Sequence, residues 1–304
     1  MVWSTTTAVE GFLADAGEFL RAEPARNSVV LTVTEDLRVK AARAQPVVAA
    51  PPEGLHGLGR QPGSDRPLLG CWRPDASPDL VAGAFLHTPE FLVFLTHLSR
   101  QAATELAAEL DTTGRLVLGI NAEEESAEAF VSAWRHRTGA RVEVHRRMRL
   151  FRLGELVWPD PPPEGSARRA APPDRDLLIE WLGAFAREVG DPPTQDHGAA
   201  VDERLSYGGM TIWEVGGALV SIAGVTRAVA GMVRVGPVYT PPALRQRGYA
   251  GAVTAAVSQA ALDAGAREVV LYTDLANPTS NALYQRLGYH PLEDRVVMSF
   301  APAT

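Results

Sequence analysis

Apolar positions in the second half of the chain switch between two periods. From Asp174 to Val189 the residues Leu177, Leu178, Trp181, Leu182 and Phe185 recur three and four apart, which predicts an amphipathic helix started by an Asp cap. DPPTQDHG interrupts it, and His197 to Ser206 predicts a second, shorter helix. TIWEV, ALVSIAGVT and GMVRVGPVY then read as strands of an antiparallel meander, divided by Gly216 and Gly217 and by Ala228, Val229 and Ala230. Arg247 to Ala264 is an alanine-rich helix stopped at Gly265, and EVVLYTD is a buried strand. Pro278 to Leu287 is a helix ended by Gly288, and VVMSF closes as a strand.

Six prolines within PDPPPEGSARRAAPP, residues 159–173, exclude a helix or a central strand and mark a linker. It divides a first domain, 1–158, from a second, 174–304. A further Pro- and Gly-rich stretch, Ala44 to Pro67, predicts a surface loop within the first domain.

The chemistry gathers where GPVYT leads through PPALRQ into the alanine-rich helix, whose first turn holds Arg247, Gly248, Tyr249, Ala250 and Gly251. Four amide N–H groups at such a terminus lack partners within the helix, and the helix dipole favours negative charge there. Small residues at Gly248, Ala250 and Gly251 let a phosphate approach the backbone, while Arg245 and Arg247 can add charge-assisted hydrogen bonds. Two adjacent phosphates fit better than one.

Arg245, Gly248 and Ala250 resemble the coenzyme A pyrophosphate loop of the GCN5-related N-acetyltransferase (GNAT) family: Gln or Arg, any two residues, Gly, any one, Gly or Ala. Downstream, DLANPTSNALYQRLGY resembles the family's last helix, in which an Asn precedes a Tyr by seven residues and a Gly-aromatic pair ends the element. Here those are Asn277, Tyr284, Gly288 and Tyr289. Seven residues are nearly two helical turns, so Asn277 and Tyr284 share a face with Ser280 and Asn281 close by. The resemblance implies acetyl-CoA as co-substrate, with Gln246 and the other loop residues at its phosphates and Asn277 bonding the pantetheine arm. It also implies Val238, Tyr239 and Thr240 as the pantetheine ladder and Tyr284 as general acid for the departing thiolate. A phenol with pKa near 10 stays protonated at neutral pH, as a donor must.

The first half echoes the second. RLVLGINAEEESAEAFVSAWRHRTG compares with EVVLYTDLANPTSNALYQRLG, and RVEVHRRMRLFRL stands where the second half has VVMSF. Its preceding helix, HLSRQAATELAAEL, has no glycine and carries Glu105 and Glu109, and Trp134 or a neighbour replaces Tyr284. The expected architecture is therefore α/β (α+β): tandem GNAT-like domains, each a mixed, mostly antiparallel sheet flanked by helices. The first is expected to be a degenerate, non-catalytic copy, with an unrelated α/β domain as the alternative.

Composition narrows the partners. With 46% apolar and 21% charged residues and a net charge of −7, the chain is an ordinary globular protein, and neither nucleic acid nor a membrane is an expected partner. Cys71 is the single cysteine, so no disulfide framework and no zinc-type cysteine cluster is expected, and no metal. MVWSTTTAVEGFL lacks a secretory pattern, and the expected location is cytoplasmic, as a monomer or homodimer.

The resemblance implies an acceptor side built from the first two helices and the loop joining them, here Glu188, Asp191, Asp196, His197, Asp202 and Glu203, an acidic rim suited to a cationic amine or to plain solvation, with His197 and Glu214 both open as bases. The expected reaction is direct acetyl transfer to a primary amine of a small molecule or peptide. A non-catalytic acyl-CoA sensor or scaffold, and an acyltransferase using longer acyl groups, are the alternatives.

Overall fold

The same order of elements occurs twice along the chain. The computed structural model describes residues 2–43, 66–88, 91–190 and 196–301. Its first run is β1 (Val2–Thr6), α1 (Val9–Ala22), α2 (Ser28–Arg43), β2 (Leu68–Arg73), β3 (Gly83–His87), β4 (Val93–Leu95), α3 (Arg100–Thr112), β5 (Gly119–Glu123), α4 (Glu124–Thr138) and β6 (Arg141–Leu153). The second is β7 (Ser166–Arg169), α5 (Arg175–Val189), α6 (His197–Ser206), β8 (Met210–Val215), β9 (Ala218–Val225), β10 (Met232–Tyr239), α7 (Tyr249–Asp263), β11 (Glu268–Asp274), α8 (Pro278–Arg286) and β12 (Tyr289–Ala301). The fold is the expected α/β tandem. The anticipated loop over 44–67 lies, for residues 44–65, outside the described residues.

The halves exchange their final strands. One compact unit comprises Met1–Met148 with Glu293–Thr304, and the other Arg149–Leu292. In the first unit the strands follow the order β1-β2-β3-β4-β5-β12, where β12 enters through its second half, Arg295↔Glu123 to Ser299↔Gly119, antiparallel. In the second unit the order is β7-β8-β9-β10-β11-β6, with β6 entering through Arg149–Leu153. In both, β4 with β5 and β10 with β11 run parallel while the meanders before them are antiparallel. The Pro-rich stretch 159–173, read from sequence as a linker, belongs to the second unit, and Ser166–Arg169 within it pairs with β8 as an edge strand.

Alternation along the strands fixes which residues meet. In the first unit Trp3, Leu68, Phe85, Val93, Leu95 and Ile120 pack against Leu106 and Leu110 of α3 and Phe130 and Trp134 of α4, and β12 adds Val296 and Phe300. Burying Val296 alone contributes about 2 kcal/mol. The second unit has two cores, one on each face of its sheet. Val233, Val235, Val269 and Leu271 face α7 and α8, with Tyr284 and Tyr289 among them, while Met210, Ile212 and Ile222 face α5 and α6. The expected Asp cap on α5 is absent. The Asp174 carboxylate instead accepts from the Ala171 N–H at 2.8 Å and from both Nη atoms of Arg168 at 2.8 and 2.9 Å, stronger charge-assisted partners than a helix amide.

His87 ends β3 at 4% exposure, and burial, aided by the charge of Arg115, holds its pKa down to about 4. A depressed histidine favours the fold above its unfolded value of 6.5, and that contribution is lost as pH falls from about 6.5 toward 4. The loss amounts to about 3 kcal/mol. Urea unfolding at pH 7 and pH 4.5 is expected to show wild type losing more stability between the two than His87→Leu. Equal losses would show that His87 does not set this limit.

Candidate active site

The site forms where β10 gives way to α7. β10 pairs with β11 from Met232↔Glu268 to Val235↔Leu271 and no further, yet continues against β9 through Val238↔Ala223 and Tyr239↔Ile222. Between Val235 and Val238 its register slips by one residue, a bulge at Gly236 and Pro237 that ends the parallel ladder. Gly236 has φ +147° and its carbonyl lies 2.7 Å from where a Cβ on Gly224 would stand, so glycine is needed on both strands. Past this point β10 and β11 are parted.

The chain then turns through Gln246 at φ +63° and Gly248 at φ +82°, on either side of Arg247. Gly248 is the N-cap of α7 and supplies no side-chain cap, so the first amides of the helix stay available. Gln246, Arg247 and Gly248 are exposed. The next residues contribute backbone only: Tyr249 is buried in the core, and a Cβ on Gly251 would meet Leu283 Cδ1 at 3.1 Å and Pro159 Cγ at 3.6 Å. Ala250 is half-buried. Pro163 stands 3.5 Å from the Cβ position of Gly248, so two prolines of the Pro-rich stretch border this turn. Sequence reading missed them; the small residues at Gly248 and Gly251, three apart on one face, are the signal that something packs there.

Arg245, expected at the phosphates, is engaged by hydrogen bonds within the protein. Its Nη2 donates to both oxygens of Glu188 at 2.8 and 2.6 Å, and its Nε donates to the Thr240 carbonyl at 2.9 Å. Arg247, also exposed, is a second cation beside the turn. The ladder candidates are also partly engaged: the Ser221 hydroxyl donates to the Tyr239 carbonyl at 3.1 Å and shares a hydrogen bond with the Thr240 hydroxyl at 2.8 Å. Burial raises the Tyr239 phenol's pKa.

On α8, Asn277 is the N-cap and its Oδ1 accepts from the Ser280 N–H at 3.0 Å. Asn281 Nδ2 donates to the carbonyls of Asp274 and Asn277 at 2.8 and 2.7 Å. Tyr284 lies two turns on, 8% exposed, with Phe151 and Tyr289 rings 6.4 and 6.1 Å away, and burial pushes its phenol up to about 12. Such a phenol is fully protonated at neutral pH but a reluctant acid.

Most of the acidic rim is occupied by the fold. Glu188 pairs with Arg245, Asp202 with Arg175 at 2.6 Å and Glu203 with Arg227 at 2.7 Å, while Asp196 caps α6 by accepting from Ala199 N–H. Asp191 lies outside the described residues. Glu214 accepts from Arg168 Nε at 2.7 Å, which ties one of the two candidate bases into an ion pair, and His197 opens α6 half-buried.

Residues 175–289 match the model of the acetyltransferase (GNAT) family. The matched segment, less than half of the chain, is similar to that family. A GCN5-related N-acetyltransferase from Sphaerobacter thermophilus superposes with a TM-score of 0.59 at 18% identity, covering 99% of this chain and 96% of its own. A GNAT-family acetyltransferase from Colwellia psychrerythraea gives 0.56 at 12%, covering 99% of both, and a Drosophila protein 0.64 at 13%, covering 100% and 99%. At these identities the likeness is one of fold. No curated protein matches the chain.

The first unit differs from the second at the corresponding places. Its helix α3 is capped by Ser99, whose hydroxyl accepts from the Ala102 N–H at 3.2 Å, and Glu105 on that helix accepts from Trp72 Nε1 at 2.8 Å. Cap geometry also sets the register of the last helix. Glu123 caps α4 through Ser126 as Asn277 caps α8 through Ser280, and seven residues beyond each cap stand Phe130 and Tyr284. Phe130 therefore holds the place for which sequence comparison offered Trp134 or a neighbour. Among the described residues no three His, Cys, Asp or Glu side chains could hold a metal ion, and no helix is long and apolar enough to cross a membrane.

Proposed function

We propose that the second unit transfers an acetyl group from acetyl-CoA to a primary amine, of a small molecule or a peptide, in the cytoplasm. The observation that carries this is the exposed, uncapped turn Gln246–Gly248 placed directly after the point where β10 and β11 part. A diphosphate fits such a turn, with amides at the helix start and Arg247 as its cation. The parted strands give the attached arm a backbone edge at Val238. The amine nitrogen attacks the thioester carbonyl carbon, the carbon–sulfur bond breaks, and the Tyr284 hydroxyl donates its proton to the sulfur. Solvent restores the phenol and removes the amine's proton. Positioning two substrates supplies most of the acceleration.

The first unit is read as a non-catalytic copy, because the Ser99 hydroxyl takes one of the helix's first amides and Phe130 has no proton to give. Calorimetry on the full chain is expected to give one acetyl-CoA per chain; two equal sites would overturn the silent-copy reading. Screening amines for thiol release with acetyl-, propionyl- and succinyl-CoA tests the reaction itself. Tight binding without release across the panel would make the protein a sensor, and faster release from succinyl-CoA would reassign the donor.

A further inference from the structure

In the first unit the parallel pair β4 and β5 is in register only at Val93↔Ile120 and Phe94↔Asn121. The space beyond is filled by a side chain from β12. Arg295 sits opposite Glu123 in the sheet, and its guanidinium reaches across β5. Nη2 donates to the Leu95 carbonyl on β4 at 2.5 Å and to the Asn121 carbonyl on β5 at 3.0 Å. Nε donates to Asn121 Oδ1 at 2.9 Å and Nη1 to Glu293 Oε1 at 2.6 Å. The other Glu293 oxygen accepts from Arg26 at 2.7 Å, and the Phe94 ring lies 4.1 Å beneath Arg295 Cζ.

Arg295 is 2% exposed, and a buried cation is tolerated only when its donors and its charge are met. Here a carboxylate meets the charge, an aromatic face covers the plane, and the fork spans carbonyls on two parted strands. We infer that this is a guanidinium site whose resident is the chain's own Arg295. The second half of β12 acts as a built-in ligand that closes the first unit at the place where the second opens. Only the comparison with that opening rests on the proposed acetyl transfer.

The test uses the full chain. Arg295→Ala is expected to lower the midpoint of thermal unfolding by about 10 °C, and millimolar methylguanidinium chloride to restore most of the loss. Ammonium chloride at the same concentration should restore little, because it lacks the planar fork. Arg295→Lys, which keeps the charge and most of the bulk, should likewise lose stability and gain from methylguanidinium less than the alanine variant. If the alanine variant does not fold, a lysine variant within 2 °C of wild type overturns the proposal and a clear loss upholds it. A stable alanine variant, or equal rescue by both salts, also overturns it. No coenzyme enters these measurements, so they fail or succeed apart from the proposed reaction.

Discussion

Gly248→Glu is expected to abolish coenzyme binding while the protein stays folded. Two effects act together. At φ +82° any side chain strains the backbone by about 1–3 kcal/mol, and the new carboxylate would stand at the proposed phosphate seat beside Arg247. Together they predict an affinity loss of about a thousandfold or more by calorimetry, with an unchanged circular dichroism spectrum. The strain can be separated from the charge. Gly248→Asn tolerates the left-handed region and adds no charge, so it should keep most of the affinity. If both variants lose equally, shape alone matters; if Gly248→Glu still binds coenzyme, the turn is not the phosphate seat, and one residual site per chain would show that the first unit is open after all.

Tyr284→Phe is expected to lower kcat by about a hundredfold with little change in coenzyme affinity. The ring belongs to the core between Phe151 and Tyr289, and the substitution preserves those contacts, so only the hydroxyl is tested. Because burial pushes the phenol up to about 12, ionisation of this residue imposes no alkaline limb between pH 7 and pH 10. A limb in that range that survives in Tyr284→Phe belongs to another group. Activity within about threefold of wild type would place Tyr284 in the core alone and leave the thiolate to be protonated by solvent.

The second half was legible from its sequence wherever period and punctuation agreed. EVVLYTD is β11 residue for residue, and His197 to Ser206 is α6. The last strand was legible only in part, since VVMSF covers 296–300 whereas β12 begins at Tyr289. His290, Pro291, Glu293, Asp294 and Arg295 break the alternation, and a pattern that sends charges to water cannot see that Glu293 and Arg295 neutralise each other inside. Periodicity likewise shows that Val296 and Phe300 are buried without naming the core that buries them. At the site, the motif located the turn through Arg245, Gly248 and Ala250. It could not show that Glu188, on another helix, pairs with Arg245, because that depends on the fold. The tandem repeat was readable from the strand–helix–glycine echo, and only the caps at Glu123 and Asn277 fixed its alignment.

The strand exchange bears on the order in which the protein matures at the ribosome. β5 is synthesised long before residues 293–301, so while the second half is still being made its edge stands without the neighbour it has in the finished sheet. Translation must run through β12 before the first half is complete, and cutting the gene between codons 148 and 149 would leave one product without Val296, Phe300 and Arg295. Once strands are shared in this way, neither half can be discarded without leaving the other short of a strand.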